Sequence, residues 1–234
     1  MLNNIKDIMC VIDTYYDYLQ KKNFLFDSKG FPIFDTSMFL KETPQLIVPF
    51  NKRKNKLVTN PKKTLICHFC NDEENYRRVE NVFRDIGEYK KYMGSTISDV
   101  SITEDMDSEY QDYISLLNQL FGAVLVTNSI KIVMSTRTGL FNSNNNFLST
   151  PKGIMYISSF LGCQKQDKPY NLSYINKIVN CNPSKLLIYG KEDKYVNQLL
   201  DYTNIPYKYY VDFHRLCKSL EKQNHIRRIN YVRL

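Results

Sequence analysis

The sequence has no tryptophan, a single alanine (Ala123) and only eight glycines in 234 residues. It has no GxGxxG after any predicted strand and no GxxxxGK[ST], which argues against a dinucleotide or P-loop site. No GxSxG elbow surrounds its serines, so an α/β-hydrolase nucleophile is not expected. No apolar run approaches the roughly 20 residues that a membrane helix needs. No charged segment followed by an apolar one opens the chain, so a secretory signal is not expected and a cytoplasmic setting is. Cysteines stand at 10, 67, 70, 163, 181 and 217. Without a signal, reduced thiols are expected rather than a disulfide framework. Cys67 and Cys70 form a CxxC around His68, but no second CxxC or HxxxH completes four zinc ligands. On a strand, residues three apart point to opposite faces, so these two read as buried strand cysteines. No CxxxCxxC is present, which removes a radical-SAM reading.

Hydrophobic residues make up 43% and charged residues 24%, the proportions of a soluble globular protein with a sizeable core. Lys and Arg outnumber Asp and Glu by 32 to 24, for a net charge of +8. The basic side is lopsided: 23 Lys against 9 Arg, beside 23 Asn and 18 Tyr. Codons for Asn, Lys, Tyr, Ile and Phe are AT-rich and those for Ala are GC-rich. The positive charge therefore has two candidate sources, an AT-rich genome and an anionic partner.

The opening residues carry Ile5, Ile8, Met9, Ile12, Tyr15 and Leu19 at helical spacing. Residues 24 to 44 read as irregular, broken by Ser28-Lys29-Gly30, Pro32 and Pro44. Apolar strands then alternate with amphipathic helices. About seven strands begin near 45, 64, 95, 131, 153, 185 and 206. One helix is expected from Tyr76 to Met93 with Gly94 as its cap, one after Asp107-Ser108, and others near 172–179, 196–200 and 216–220. The stretch from Asn142 to Asn146 reads as an exposed loop, and the tail from Ile226 as a basic edge strand or loose end. Near-continuous apolar strands alternating with helices predict an α/β fold with a parallel sheet covered on both faces. With no nucleotide fingerprint, a barrel-like ring of βα units, complete or incomplete, is favoured over an open doubly wound sheet. Residues 1–44 would be a helix and extension packed on a single α/β domain spanning 45–234.

The segments His68-Phe69 before acidic residues, Ser98-Asp99-Val100-Ser101, Ser-Thr-Arg-Thr-Gly at 135–139, Pro-Lys-Gly at 151–153 running into Ile-Ser-Ser-Phe-Leu-Gly at 157–162, and Leu-Leu-Ile-Tyr-Gly at 186–190 stand in a telling order. In them, residues 64 to 190 resemble the phage and bacterial family called domain of unknown function 4417. That family usually has Pro-Asp-Phe-Ser where this chain has Ser98 to Ser101, and an aromatic where it has Thr138. Asp99, Ser101 and Arg137 match. The resemblance implies no activity. It implies a setting of phages and mobile elements, which would also account for the AT-rich composition.

In barrels and open parallel sheets alike, ligands bind beyond the carboxyl ends of the strands. Polar residues gather at those places: Asp72, Asp99, Ser101, Arg137, Ser158, Lys191, Asp212, His214 and Arg215. Asp72 at a strand end reads first as a cap of the next helix. Asp99 lies within an apolar stretch, where a charge must be paired, with Arg137 as the natural partner, or functional. In the functional reading Asp99, Asp72 and His214 are catalytic, and Asp99 with Asp72 holds a divalent ion such as Mg²⁺. Ser101, Arg137, Ser158, Lys191 and Arg215 would bind the ligand. Lys52, Arg53, Lys54 and Lys56, in a basic loop, would contact phosphates or be plain solvated charge. The tyrosines between 202 and 210, with Lys208, could stack bases, but in so Tyr-rich a chain core or surface tyrosines are the expected reading. Two functions follow. One is binding, with or without metal-dependent hydrolysis, of a nucleic acid or nucleotide in replication or counter-defence. The other is a non-catalytic protein that inhibits or redirects a host protein.

Overall fold

The structure is a computed structural model; it describes residues 5–102, 106–135, 151–158, 181–190, 192 and 194–221. Seven strands form one all-parallel sheet in which sequence order is spatial order. They are β1 (Leu46–Pro49), β2 (Thr64–Cys67), β3 (Gly94–Thr96), β4 (Ile132–Ser135), β5 (Met155–Ser158), β6 (Lys185–Tyr189) and β7 (Tyr207–Tyr210). The helices are α1 (Ile5–Gln20), α2 (Asp72–Glu80), α3 (Val82–Tyr89), α4 (Ser108–Thr127) and α5 (Lys194–Thr203), with a last helical segment over 213–221. The expected helix over 172–179, the Asn-rich loop and the basic tail lie outside the described residues.

Consecutive neighbours throughout, with no strand inserted out of order, is the winding of a βα barrel and not of a doubly wound sheet. Side-chain contacts show the curvature. Strands β2 and β6 are four positions apart, roughly 19 Å in a flat sheet. Yet the rings of Phe69, just beyond β2, and Tyr189 of β6 stack with centroids 5.4 Å apart. The Cys67 thiol also lies near enough to the Tyr189 hydroxyl to help raise it. At the other end of the strands Tyr210 of β7 donates to the carbonyl of Pro44, just before β1 (2.5 Å), so the first and last strands meet there too. The sheet is thus a nearly closed barrel. No helix among the described residues is long and apolar enough to cross a membrane.

The register sorts the side chains. Because Cys67 and Tyr189 meet inside, Leu65 and Ile47 share the inner face on one wall, and Leu187 and Ile157 on the other. Ile132 of β4 and Ile97 point out toward α4. Gly122 of α4 sits so close that a Cβ there would lie 2.6 Å from Ile97 Cγ2. Helix α4 is buried almost all round from Ile114 to Leu125 because α1 covers its far side. A helix with no wet face can be apolar on every face, which is how this sequence reads.

Three sequence expectations change. The single helix after β2 is two, α2 and α3, broken at Asn81 (φ −109°, ψ 14°). The break lets Arg78 turn back onto Asp85, 2.7 Å away in a buried pair. Gly94 opens β3 rather than capping a helix. A Cβ there would lie 2.5 Å from the Lys131 carbonyl, so only glycine permits β3 and β4 to approach. The expected strand over 95–102 ends at Thr96. Beyond it the backbone is held by side chains.

Candidate functional site

The carboxyl ends of the strands lie at one end of the barrel, its mouth, and the segment after β3 forms part of the wall there. Ser98 Oγ and Val100 N both donate to Asn118 Oδ1 (2.7 and 3.0 Å). Asn118 Nδ2 returns a bond to the Val100 carbonyl (3.1 Å). Asn75 Nδ2 donates to the Asp99 carbonyl (2.8 Å), and Ser101 N donates to Asp72 Oδ1 (2.9 Å). An amide on α4 and two residues of α2 thus do for residues 98–101 what a neighbouring strand would do. This satisfies buried backbone groups while freeing the chain from the sheet's pleat.

Asp99 is 5% exposed, in that clamped segment rather than within a strand. Its charge adds to the burial that raises the Cys67 and Cys70 thiols. Asp72 is the first residue of α2. The cap is its neighbour Asn71, whose Oδ1 accepts from Glu74 N (3.0 Å). Asp72 instead aligns Ser101. Ser158 pairs in register with Ile188, on the face opposite to Tyr189, and so points toward the helix layer. His214 and Arg215 are exposed at the start of the last helical segment, where Asp212 Oδ1 caps Arg215 N (3.0 Å). Arg137 and Lys191 lie outside the described residues, so the expected Asp99–Arg137 pair does too.

The basic loop after β1 divides. Lys52, Lys54 and Lys56 are exposed. Arg53 is committed to the fold: its Nε pairs with Glu88 Oε2 (3.0 Å), its guanidinium lies 4.1 Å from the centre of the Phe50 ring, and its carbonyl accepts from Tyr92. Lys91 first, and then Arg53, hold the Glu88 carboxyl down to about 2. Asn55, in the same loop, contacts Cys217 of the last helical segment (4.0 Å), bringing the ends of β1 and β7 together at the mouth. Of the tyrosines near the end of the chain, Tyr202 is 89% exposed, whereas Tyr210 is in the core.

The Cys67 and Cys70 thiols are not poised for nucleophilic chemistry. Burial, with Glu74, Asp99 and Asp72 nearby, pushes Cys70 up to about 12, and burial raises Cys67 further. Among the described residues no three or more of His, Cys, Asp and Glu gather as a metal site. Asp72 and Asp99 follow β2 and β3 at the carboxyl ends of the strands, and Mg²⁺ bound through ligand phosphates needs only one or two carboxylates. Sequence reasoning missed two contributors, Asn118 and Phe69. An asparagine inside the apolar run 114–125 was the available signal for the first. Phe69, half-buried and stacked on Tyr189 from the opposite wall, carried no signal beyond its place at a strand end.

Fold and site together define a βα-barrel protein with a polar strand-end mouth, one wall acidic and one rim basic. A family model described as "Domain of unknown function (DUF4417)" matches residues 28–209, and the chain belongs to that family. No curated protein and no solved structure matches the chain.

Proposed function

We propose that the strand-end mouth binds a phosphate-bearing ligand, a nucleic acid or nucleotide, in a phage or mobile-element setting. The observation that carries this reading is the placing of exposed Lys52, Lys54 and Lys56 at the same barrel end as half-buried Phe69 and Asp99. Lysines on an exposed rim attract phosphates without reading sequence. An aromatic face inside the rim suits a base. Asp99 and Asp72 can share a divalent ion with the bound phosphates, which opens metal-dependent phosphodiester hydrolysis to the same site.

The test is binding of a single-stranded oligonucleotide and of a nucleoside triphosphate across a salt series, with and without Mg²⁺. Each phosphate that a lysine neutralises on a single strand adds about 0.7 to the slope of log K against log salt. Replacing Lys52, Lys54 and Lys56 together by alanine is therefore expected to flatten the oligonucleotide's slope by about 2. Mg²⁺-dependent product release that disappears in Asp99→Asn would establish hydrolysis. No binding of either ligand at low salt sinks the reading. A stable host-protein complex that survives Asp99→Ala and Arg137→Ala would put a non-catalytic interaction protein in its place.

A further inference from the structure

The opposite end of the barrel carries its own positive cleft. The chain crosses beneath the strands over residues 36–44, and three lysines at strand starts tie it there. Lys131 Nζ donates to the Ser37 carbonyl, Lys185 Nζ to Thr43 Oγ1 (2.9 Å) and Lys208 Nζ to the Pro44 carbonyl (3.4 Å). Beside this crossing lies a cavity of about 550 Å³ whose wall includes Lys41, Lys62, Lys131, Tyr92 and Met93. That volume is within the range of small-molecule sites, about 300–1,000 Å³.

The charges in this cleft are held but not neutralised. Lys62 Nζ is fixed by the Lys90 carbonyl (2.9 Å) and Lys131 Nζ by that of Ser37. Both acceptors are neutral, and each ammonium keeps two further N–H donors. Among the described residues none of Lys41, Lys62 and Lys131 is in an ion pair. The cleft wall supplies one carboxylate, exposed Glu42. Asp35 stands close enough to feel Lys131 and Lys41, and its carboxylate, held ionised by Ser37 N (2.7 Å), offsets part of their charge from outside the cleft wall. Three lysines around one small cavity repel one another until an anion enters.

We propose that this N-terminal cleft binds a small anion carrying two or three linked phosphates, between Lys41, Lys62 and Lys131. The site is separate from the strand-end mouth and does not depend on what the mouth does. The test is calorimetric titration of the full chain with inorganic triphosphate at low salt. Replacing Lys41, Lys62 and Lys131 together by glutamine is expected to weaken binding at least about tenfold, and the wild-type affinity to fall as salt rises. In a matched titration at about 0.15 M salt, where the screening length is about 8 Å, the same change at Lys52, Lys54 and Lys56 is expected to leave affinity within about twofold, since none of these residues lines the cleft. Should the first triple variant fail to fold, Lys41→Gln alone serves. Its ammonium anchors no other group among the described residues, and a loss of about threefold is expected. The proposal is overturned if the wild type shows no binding at about 1 mM triphosphate. It is equally overturned if Lys52, Lys54 and Lys56 carry the binding instead.

Discussion

The His68 imidazole is fully buried between Tyr89 and the edge of Phe121. Its Nδ1 stands 3.1 Å from the Ile97 carbonyl, which can only accept. The proton therefore sits on Nδ1, and Nε2 accepts from the Tyr89 hydroxyl (2.9 Å). Burial holds this histidine down to about 4, against an ordinary value near 6.5. The folded state keeps it neutral while the unfolded chain takes up a proton below 6.5. Its contribution is whole above pH 6.5 and is lost as pH falls toward 4, by about 3 kcal/mol in all. Urea titrations from pH 7 to pH 4 are expected to show this loss. His68→Gln, though less stable at pH 7, should lack that component. An unchanged slope between pH 6.5 and 4 in the variant would refute the assignment.

At the scale of elements, the segment after β3 shows where sequence reading stops. Residues 95–102 have the apolar pattern of a strand, but a strand needs neighbours along its whole length. Here the neighbours from Ser98 onward are the side chains of Asn118, Asn75 and Asp72, from helices 18 or more positions away in sequence. Nothing local announces such partners. Asn118→Leu would orphan the Val100 N–H and carbonyl and is expected to destabilise the fold by about 2–4 kcal/mol. Amide exchange at Val100 should rise in step. A variant as stable as wild type would mean that the clamp is dispensable. The split between α2 and α3 escaped the sequence for a like reason. The apolar face runs on through Val79, Val82 and Ile86, while the Arg78–Asp85 pair that needs the break joins two residues that pattern alone leaves apart.

For the whole molecule, the seam between β7 and β1 decides whether the ring holds. Tyr210 and Lys208 bind the Pro44 carbonyl at one end, and Asn55 meets Cys217 at the other. Tyr210→Phe removes one seam bond without a cavity. A drop in stability of about 1 kcal/mol is expected, with faster amide exchange in β7 than in β2 to β4. Uniform exchange throughout would show that the seam does not act as a local unit.

What the sequence determined by itself is the order and kind of the elements. Seven short apolar runs separated by helical periodicity announce parallel strands, because only strands covered on both faces can be apolar throughout. It also determined that polar side chains end those strands. Only the tertiary structure decided that the sheet curls until Phe69 and Tyr189 stack, that Asp99 leaves the pleat, and that Arg53 pairs with Glu88. Each of these depends on contacts between residues far apart in the chain, and such contacts exist only once the ring has formed. The same is true of charge. The excess of +8 is a property of composition. The gathering of Lys41, Lys62 and Lys131 around one cleft is a property of the barrel.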